Sequence, residues 1–200
     1  MSGVALGFKA HSGWASLIVV AASGENVEII DRRRIELIEE GELWAKQPYH
    51  AAEELESKEA HLVVKKGVAS AQRVADRRIK EIVRRYAQSE YEMKACGVLI
   101  PEPMPDWSTD EILSVHFRMH KAEGVLFPAA LCRAAEKNGL MNVAIPEKQL
   151  DELASKALRK SGSEIAKMLA AIGKAIGPPW TKDQKLATIA AMIAMRKISG

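Results

Sequence analysis

The chain has little of what marks several common protein classes. Two cysteines, Cys96 and Cys132, are too few for a disulfide framework, and both lie in apolar settings that suit reduced core thiols, so a cytoplasmic address is expected. Its longest apolar stretch, near Ala15 to Ala22, is too short to span a bilayer, and no basic-then-apolar leader opens the sequence. Membrane association is therefore not expected. A formal net charge of +3 provides no global attraction for polyanions, and basic runs such as Arg32-Arg33-Arg34 and Arg77-Arg78 read first as solvated faces. Aromatic residues make up only 5% of the chain, and Trp14, Trp44, Trp107 and Trp180 stand beside strand or helix starts, where such rings usually lid a core. No internal repeat or low-complexity tract is present.

What is there is a globular balance, 48% hydrophobic and 28% charged over 200 residues, enough for one domain spanning 1–200 with its own core. Val4 to Phe8 and Trp14 to Ala22 read as two strands about the turn Lys9-Ala10-His11-Ser12-Gly13. A second turn at Ser23-Gly24-Glu25-Asn26 leads to a third strand from Val27 to Leu37. Between Pro48 and Gln88 the apolar spacing becomes helical. One helix over that whole stretch would be about 60 Å long, so a break is expected near Gly67. Lys94 to Ile100 reads as a buried central strand ended by Pro101, Pro103 and Pro105. Ser108 to Glu111 has capping-box spacing and opens a helical region that closes at Asn138-Gly139, with Pro128 expected to kink or split it. Met141 to Ile145 is a fifth strand. Helices follow, with breaks expected at Ser161-Gly162 and around Gly173 and Gly177, and the box Thr181 to Gln184 starts the last of them.

Three antiparallel strands, helix, strand, helix, strand and terminal helices form the element order of the ribonuclease H-like fold. The expected architecture is an α/β domain with a five-stranded mixed sheet, three antiparallel strands followed by parallel ones, flanked by helices. Within that order Val115 to Leu140 resembles the helix before strand five in RuvC-type Holliday-junction resolvases, and Gly7 to Trp14 is similar to their Gly-Ile-Asp-Pro-Gly…Gly-Trp turn. The Phe-basic-Ala-His-Ser-Gly-Trp turn and the Gly177-Pro178-Pro179-Trp180 element also resemble a bacterial family that implies no activity of its own. The resolvase resemblance implies association with DNA or RNA. It would also imply several carboxylates holding two Mg²⁺ or Mn²⁺ ions, yet Lys9 stands where the first-strand Asp would fall. The fourth strand ends at Pro101 with Glu102 beyond it, and only Asp183 matches the acid of the terminal helix. The expected function is thus nucleic-acid association with weak or absent nuclease activity.

On that fold the carboxyl edge of the sheet gathers the residues able to do chemistry. His11, Lys9 and Asp183 are the catalytic candidates, and Ser12, His50, Glu102 and Trp180 the ligand-binding ones, with Tyr49 and Lys182 nearby. His116, His120 and Glu123 recur at helical spacing and can offer two imidazoles and a carboxylate to a divalent metal such as Zn²⁺, with His11 or His50 completing the set. A His–Glu hydrogen bond or a packed imidazole accounts for the same spacing. His11 beside Ser12 suggests a base beside a hydroxyl, but no Gly-x-Ser-x-Gly elbow is present and a structural turn explains the pair equally. Asp183 in a first helical turn is stabilised by the helix dipole without any ligand. A metal-dependent hydrolase or nuclease on the His-rich rim, and a small-molecule or protein-interaction module, are the alternative functions.

Overall fold

The computed structural model describes residues 2–23 and 26–198. Five strands, β1 (Ser2–His11), β2 (Trp14–Ser23), β3 (Asn26–Glu36), β4 (Tyr91–Ile100) and β5 (Met141–Pro146), form one sheet in the order β3-β2-β1-β4-β5. β1 and β2, and β2 and β3, pair antiparallel, whereas β1 and β4, and β4 and β5, pair parallel. The mixed sheet expected from the element order is the one observed. The turn expected at Ser23 to Asn26 falls on positions 24 and 25, which lie outside the described residues.

Side chains alternate across the sheet and so feed two separate cores. Val4, Leu6, Phe8, Leu17, Val19, Cys96 and Val98 face α1 (Ser57–Tyr86) and α3 (His116–Lys137). Ala5, Ile18, Val20 and Ala95 face α6 (Lys182–Ile198), while Leu99 and Ile145 meet α6 with α4 (Leu150–Leu158) and α5 (Gly162–Ile176). β4 lies inside this sandwich, buried from Ala95 to Leu99. Burial pushes the Cys96 thiol well above its ordinary range and the Cys132 thiol up to about 11. Alkylation of the native protein at pH 8 is therefore expected to run about two orders of magnitude slower than after unfolding, because the thiolate is the nucleophile. Equal rates before and after denaturation would contradict this.

The helix breaks expected at Gly67, Pro128 and Gly173 do not occur. α1 is a single helix of 30 residues that passes through Gly67. A glycine costs about 1 kcal/mol inside a helix, too little to break one anchored by Ala60, Val64, Ala71, Val74 and Ala75. Gly67 serves a contact instead, since a Cβ there would lie 2.3 Å from Pro48 Cβ. The stretch from Pro48 to Gln88 is still not one helix of about 60 Å, because its front folds otherwise and residues 50–52 form a short 3₁₀ turn, as do residues 43–46 just before it. Likewise Pro128 does not split its helix. The division falls at Ser114 and Val115, between the short α2 (Thr109–Leu113) and α3. α5 also runs through Gly173 and stops at Gly177, where φ is +72°.

Both capping boxes read from the sequence, at Ser108 and Thr181, are formed, and the break at Ser161-Gly162 carries a further one. The Ser108 hydroxyl accepts from the Glu111 N–H, the Ser161 hydroxyl from the Glu164 N–H, and Thr181 Oγ1 from the Gln184 N–H. The third of these fixes where α6 begins, and therefore where Asp183 stands.

Candidate functional site at the carboxyl edge of the sheet

Gly7, Lys9 and His11 share one face of β1, the face that α6 covers, because they are two residues apart in a strand. At the end of that face His11 Nε2 lies 2.9 Å from Asp183 Oδ2, in the first turn of α6. The hairpin closes in two residues, with Gly13 at φ +84° and Ser12 exposed at the tip. Its register sets His11 opposite Trp14, and the two rings stack at 4.3 Å and 14°. The Arg34 guanidinium lies 4.1 Å above the Trp14 ring and donates to Glu36 at 2.6 Å. His11 is thus held between a carboxylate and a stacked indole, a firmer setting than a turn hydrogen bond.

Two other acids of this edge are paired with lysines. Lys9 forms an ion pair with Glu147, just beyond β5, and Lys148 donates to Glu102, just beyond β4, at 2.6 Å. The Lys148 hydrogen bond holds the Glu102 carboxyl below its ordinary range. Two hard cations bridged by carboxylates need free oxygen donors and tolerate no ammonium among them. An edge with Lys9 at its first strand, and with Glu102, Glu147 and Asp183 engaged by Lys148, Lys9 and His11, does not fit that pair of ions.

A second cluster forms where the 3₁₀ turn His50–Ala52 meets α3. His116 and His120 project from successive turns of α3, and their Nε2 atoms are 3.1 Å apart. His50 packs against both rings, with centroids 5.0 and 4.6 Å away. One ring nitrogen from each of the three lies within 4.8 Å of the others. Glu123, expected beside His116 and His120 as a ligand, stands behind His50 instead. Its carboxylate is buried and accepts from His50 Nδ1 at 2.7 Å, from the His50 backbone N–H at 3.1 Å and from Gln47 Nε2 at 3.3 Å. Burial raises the neighbouring Tyr49 phenol above its ordinary range, and the Glu123 charge adds to the effect.

The two arrangements meet at a cleft of about 410 Å³ outside the ends of β4 and β5, lined by His120 and Lys121 on one side and by Glu102, Glu147 and Lys148 on the other. Among the described residues the lining reaches Glu147, and Lys9 carries the contact from there to β1. His11 and Asp183 form a separate contact beyond it. Trp180 is tied into the terminal helices, with its indole N–H donating to the Leu169 carbonyl at 2.9 Å and its ring filling the space above Gly173. Sequence reasoning missed Glu147, Lys148, Glu53 and Gln47. The first two had a signal, since they directly follow the end of a predicted parallel strand. Glu53 and Gln47 had none, because their roles depend on how a loop folds onto α3.

No family model and no curated protein matches the chain. Among solved structures it is similar to Thermus thermophilus RuvC, at 14% identity and a TM-score of 0.54 over 98% of this chain and 95% of that one. T. thermophilus RuvC in complex with Holliday junction substrate matches at 15% identity and a TM-score of 0.54, covering 98% of this chain and 94% of the other. Over nearly its whole length this chain therefore has the ribonuclease H-like α/β fold, in common with RuvC and at great distance from it in sequence.

Proposed function

We propose that the protein binds nucleic acid on a ribonuclease H-like scaffold whose carboxyl edge has exchanged two-metal nuclease chemistry for a set of ion pairs. The observation that carries this reading is the rim itself: Lys9 occupies the end of β1, and Glu102, Glu147 and Asp183 each meet a basic partner. A likeness to a resolvase in complex with a junction supports nucleic acid as the partner class. So does a second cleft, of about 300 Å³, where edge strand β3 and α1 bring together Arg33, Arg34, Arg78 and Arg85; Glu36 and Glu81 line it too, and Asp31 pairs with Arg33 at 3.2 Å and with Arg85 at 3.9 Å. Guanidinium groups in a groove contact phosphates without reading sequence, and Arg34 on Trp14 adds a flat surface for a base.

The test is anisotropy of labelled single-stranded, duplex and four-way-junction DNA, and of RNA, titrated with protein between about 50 and 200 mM salt. Micromolar or tighter binding at low salt is expected, with log K falling linearly against log salt at a slope of about −0.9 per duplex phosphate contacted. Arg34→Ala and Arg85→Ala together should flatten that slope, and no strand should be cut in Mg²⁺ or Mn²⁺. Absence of salt-dependent binding would remove the partner class. Metal-dependent cleavage abolished by Asp183→Ala would instead restore the nuclease.

A further inference from the structure

The geometry points to a three-imidazole site for a divalent transition-metal ion of the Zn²⁺ class at His50, His116 and His120, oriented by Glu123 and Glu53. It is independent of the nucleic-acid reading, since it uses neither the Lys–Glu pairs nor the arginine groove.

Four observations support it. The ring nitrogens already converge within 4.8 Å, with His116 Nε2 and His120 Nε2 at 3.1 Å. Ligands about 2.05 Å from a tetrahedral ion are about 3.3 Å from one another, so this pair is at ligand spacing and His50 has only a small distance to close. His50 Nδ1 lies against Glu123 at 2.7 Å, and His116 Nδ1 lies 3.3 Å from Glu53. A carboxylate on Nδ1 fixes that nitrogen as the N–H and leaves the Nε2 lone pair for a metal, the outer-shell arrangement usual for metal-bound imidazoles. Finally, His50 Nε2 is buried without a hydrogen-bond partner among the described residues. A hydrogen bond between His116 and His120 would explain their own contact, but it leaves that orphaned acceptor unexplained.

The donor set also selects the ion. Imidazoles suit Zn²⁺, Co²⁺, Ni²⁺ and Cu²⁺, whereas Mg²⁺ and Ca²⁺ take oxygen. Glu123 is not a fourth ligand, because its oxygens are already occupied by the His50 and Gln47 donors. Three protein ligands leave a coordination position for water or an anion, and His120 lines the cleft from which one would enter.

Metal-stripped, full-length protein titrated with Co²⁺ should take up one equivalent with visible d–d absorption, displaced by Zn²⁺ but not by a large excess of Mg²⁺. His116→Ala and His120→Ala alter exposed side chains, so they should fold normally by circular dichroism and lose the absorption. Glu123→Gln should weaken binding by about 10- to 100-fold while keeping the stoichiometry. His61→Ala removes a histidine paired elsewhere, with Asp110, and should bind as wild type. Wild type that binds Co²⁺ no better than the folded His116→Ala/His120→Ala protein, or that loses it to Mg²⁺, would overturn the site.

Discussion

Gly7→Ala and Gly97→Ala are each expected to destabilise the protein by about 3 kcal/mol or more, the upper end of what overpacking costs, with Tm falling on the order of 6 to 12 °C. Gly7 and Gly97 are side by side in the β1–β4 pairing, beneath α6. A Cβ on Gly7 would lie 1.9 Å from the Ala187 carbonyl oxygen, and one on Gly97 would lie 2.2 Å from that of Ala190. Both obstacles are backbone, so no side chain can rotate away and the whole helix must lift. Lifting it would pull Ala187, Ala190, Ala191 and Ala194 off the sheet and separate Asp183 from His11. Gly124→Ala is the contrast. It sits exposed inside α3, its Cβ would meet nothing within 4 Å, and it should gain about 0.4 to 1 kcal/mol. Thermal or urea melts of the three variants decide the matter, and a Gly7→Ala protein as stable as wild type would show that α6 does not rest on the sheet through these glycines.

That contact shows where reading residues in order stops. The strands were legible because period-two apolar runs bounded by Gly, Pro and Ser have few other interpretations, and the capping boxes were legible because they act over four residues. Gly7 and Gly97 carried no such signal, since their meaning depends on a parallel pairing between residues 90 apart in sequence and on a helix almost as far again. Gly67 misled for the same reason. It reads locally as a helix break, yet Pro48 packs against it and the helix continues.

The candidate site divides along the same line. His116 and His120 converge because spacing on one helix is a local property. Their third partner is His50, which the sequence offered alongside His11, and not Glu123, whose place behind His50 a helical wheel cannot foresee because a loop must first fold against α3 and bury the carboxylate. At the rim, Lys9 in place of an acid was legible from the resemblance of the first hairpin to the resolvase turn. Its neutralisation of Glu147 was not, because that pairing joins the ends of β1 and β5, on opposite sides of β4.

Arg32→Ala is expected to cost about 2 to 3 kcal/mol, the value of losing charged hydrogen bonds at a half-buried site. Arg32, in β3, is not part of a solvated basic run. Its guanidinium donates to the carbonyls of Gly177 at 2.8 Å, Pro179 at 2.6 Å, Ile176 at 3.0 Å and Pro178 at 3.4 Å. This fork ties the edge strand to the segment between α5 and α6, immediately before the Thr181 cap that places Asp183. Lysine cannot replace it, since a single ammonium lacks the planar fork that reaches several carbonyls at once, and Arg32→Lys should recover less than half of the loss. α6 remains held by its alanine face on the sheet, so the damage should begin locally. Amide exchange at residues 177 and 180–182 should accelerate before that of residues 187–194, and the His11–Asp183 contact should loosen with it. Stability within about 0.5 kcal/mol of wild type, the range of an ordinary surface substitution, would mean that water satisfies these carbonyls equally well and that the fork does not position the start of α6.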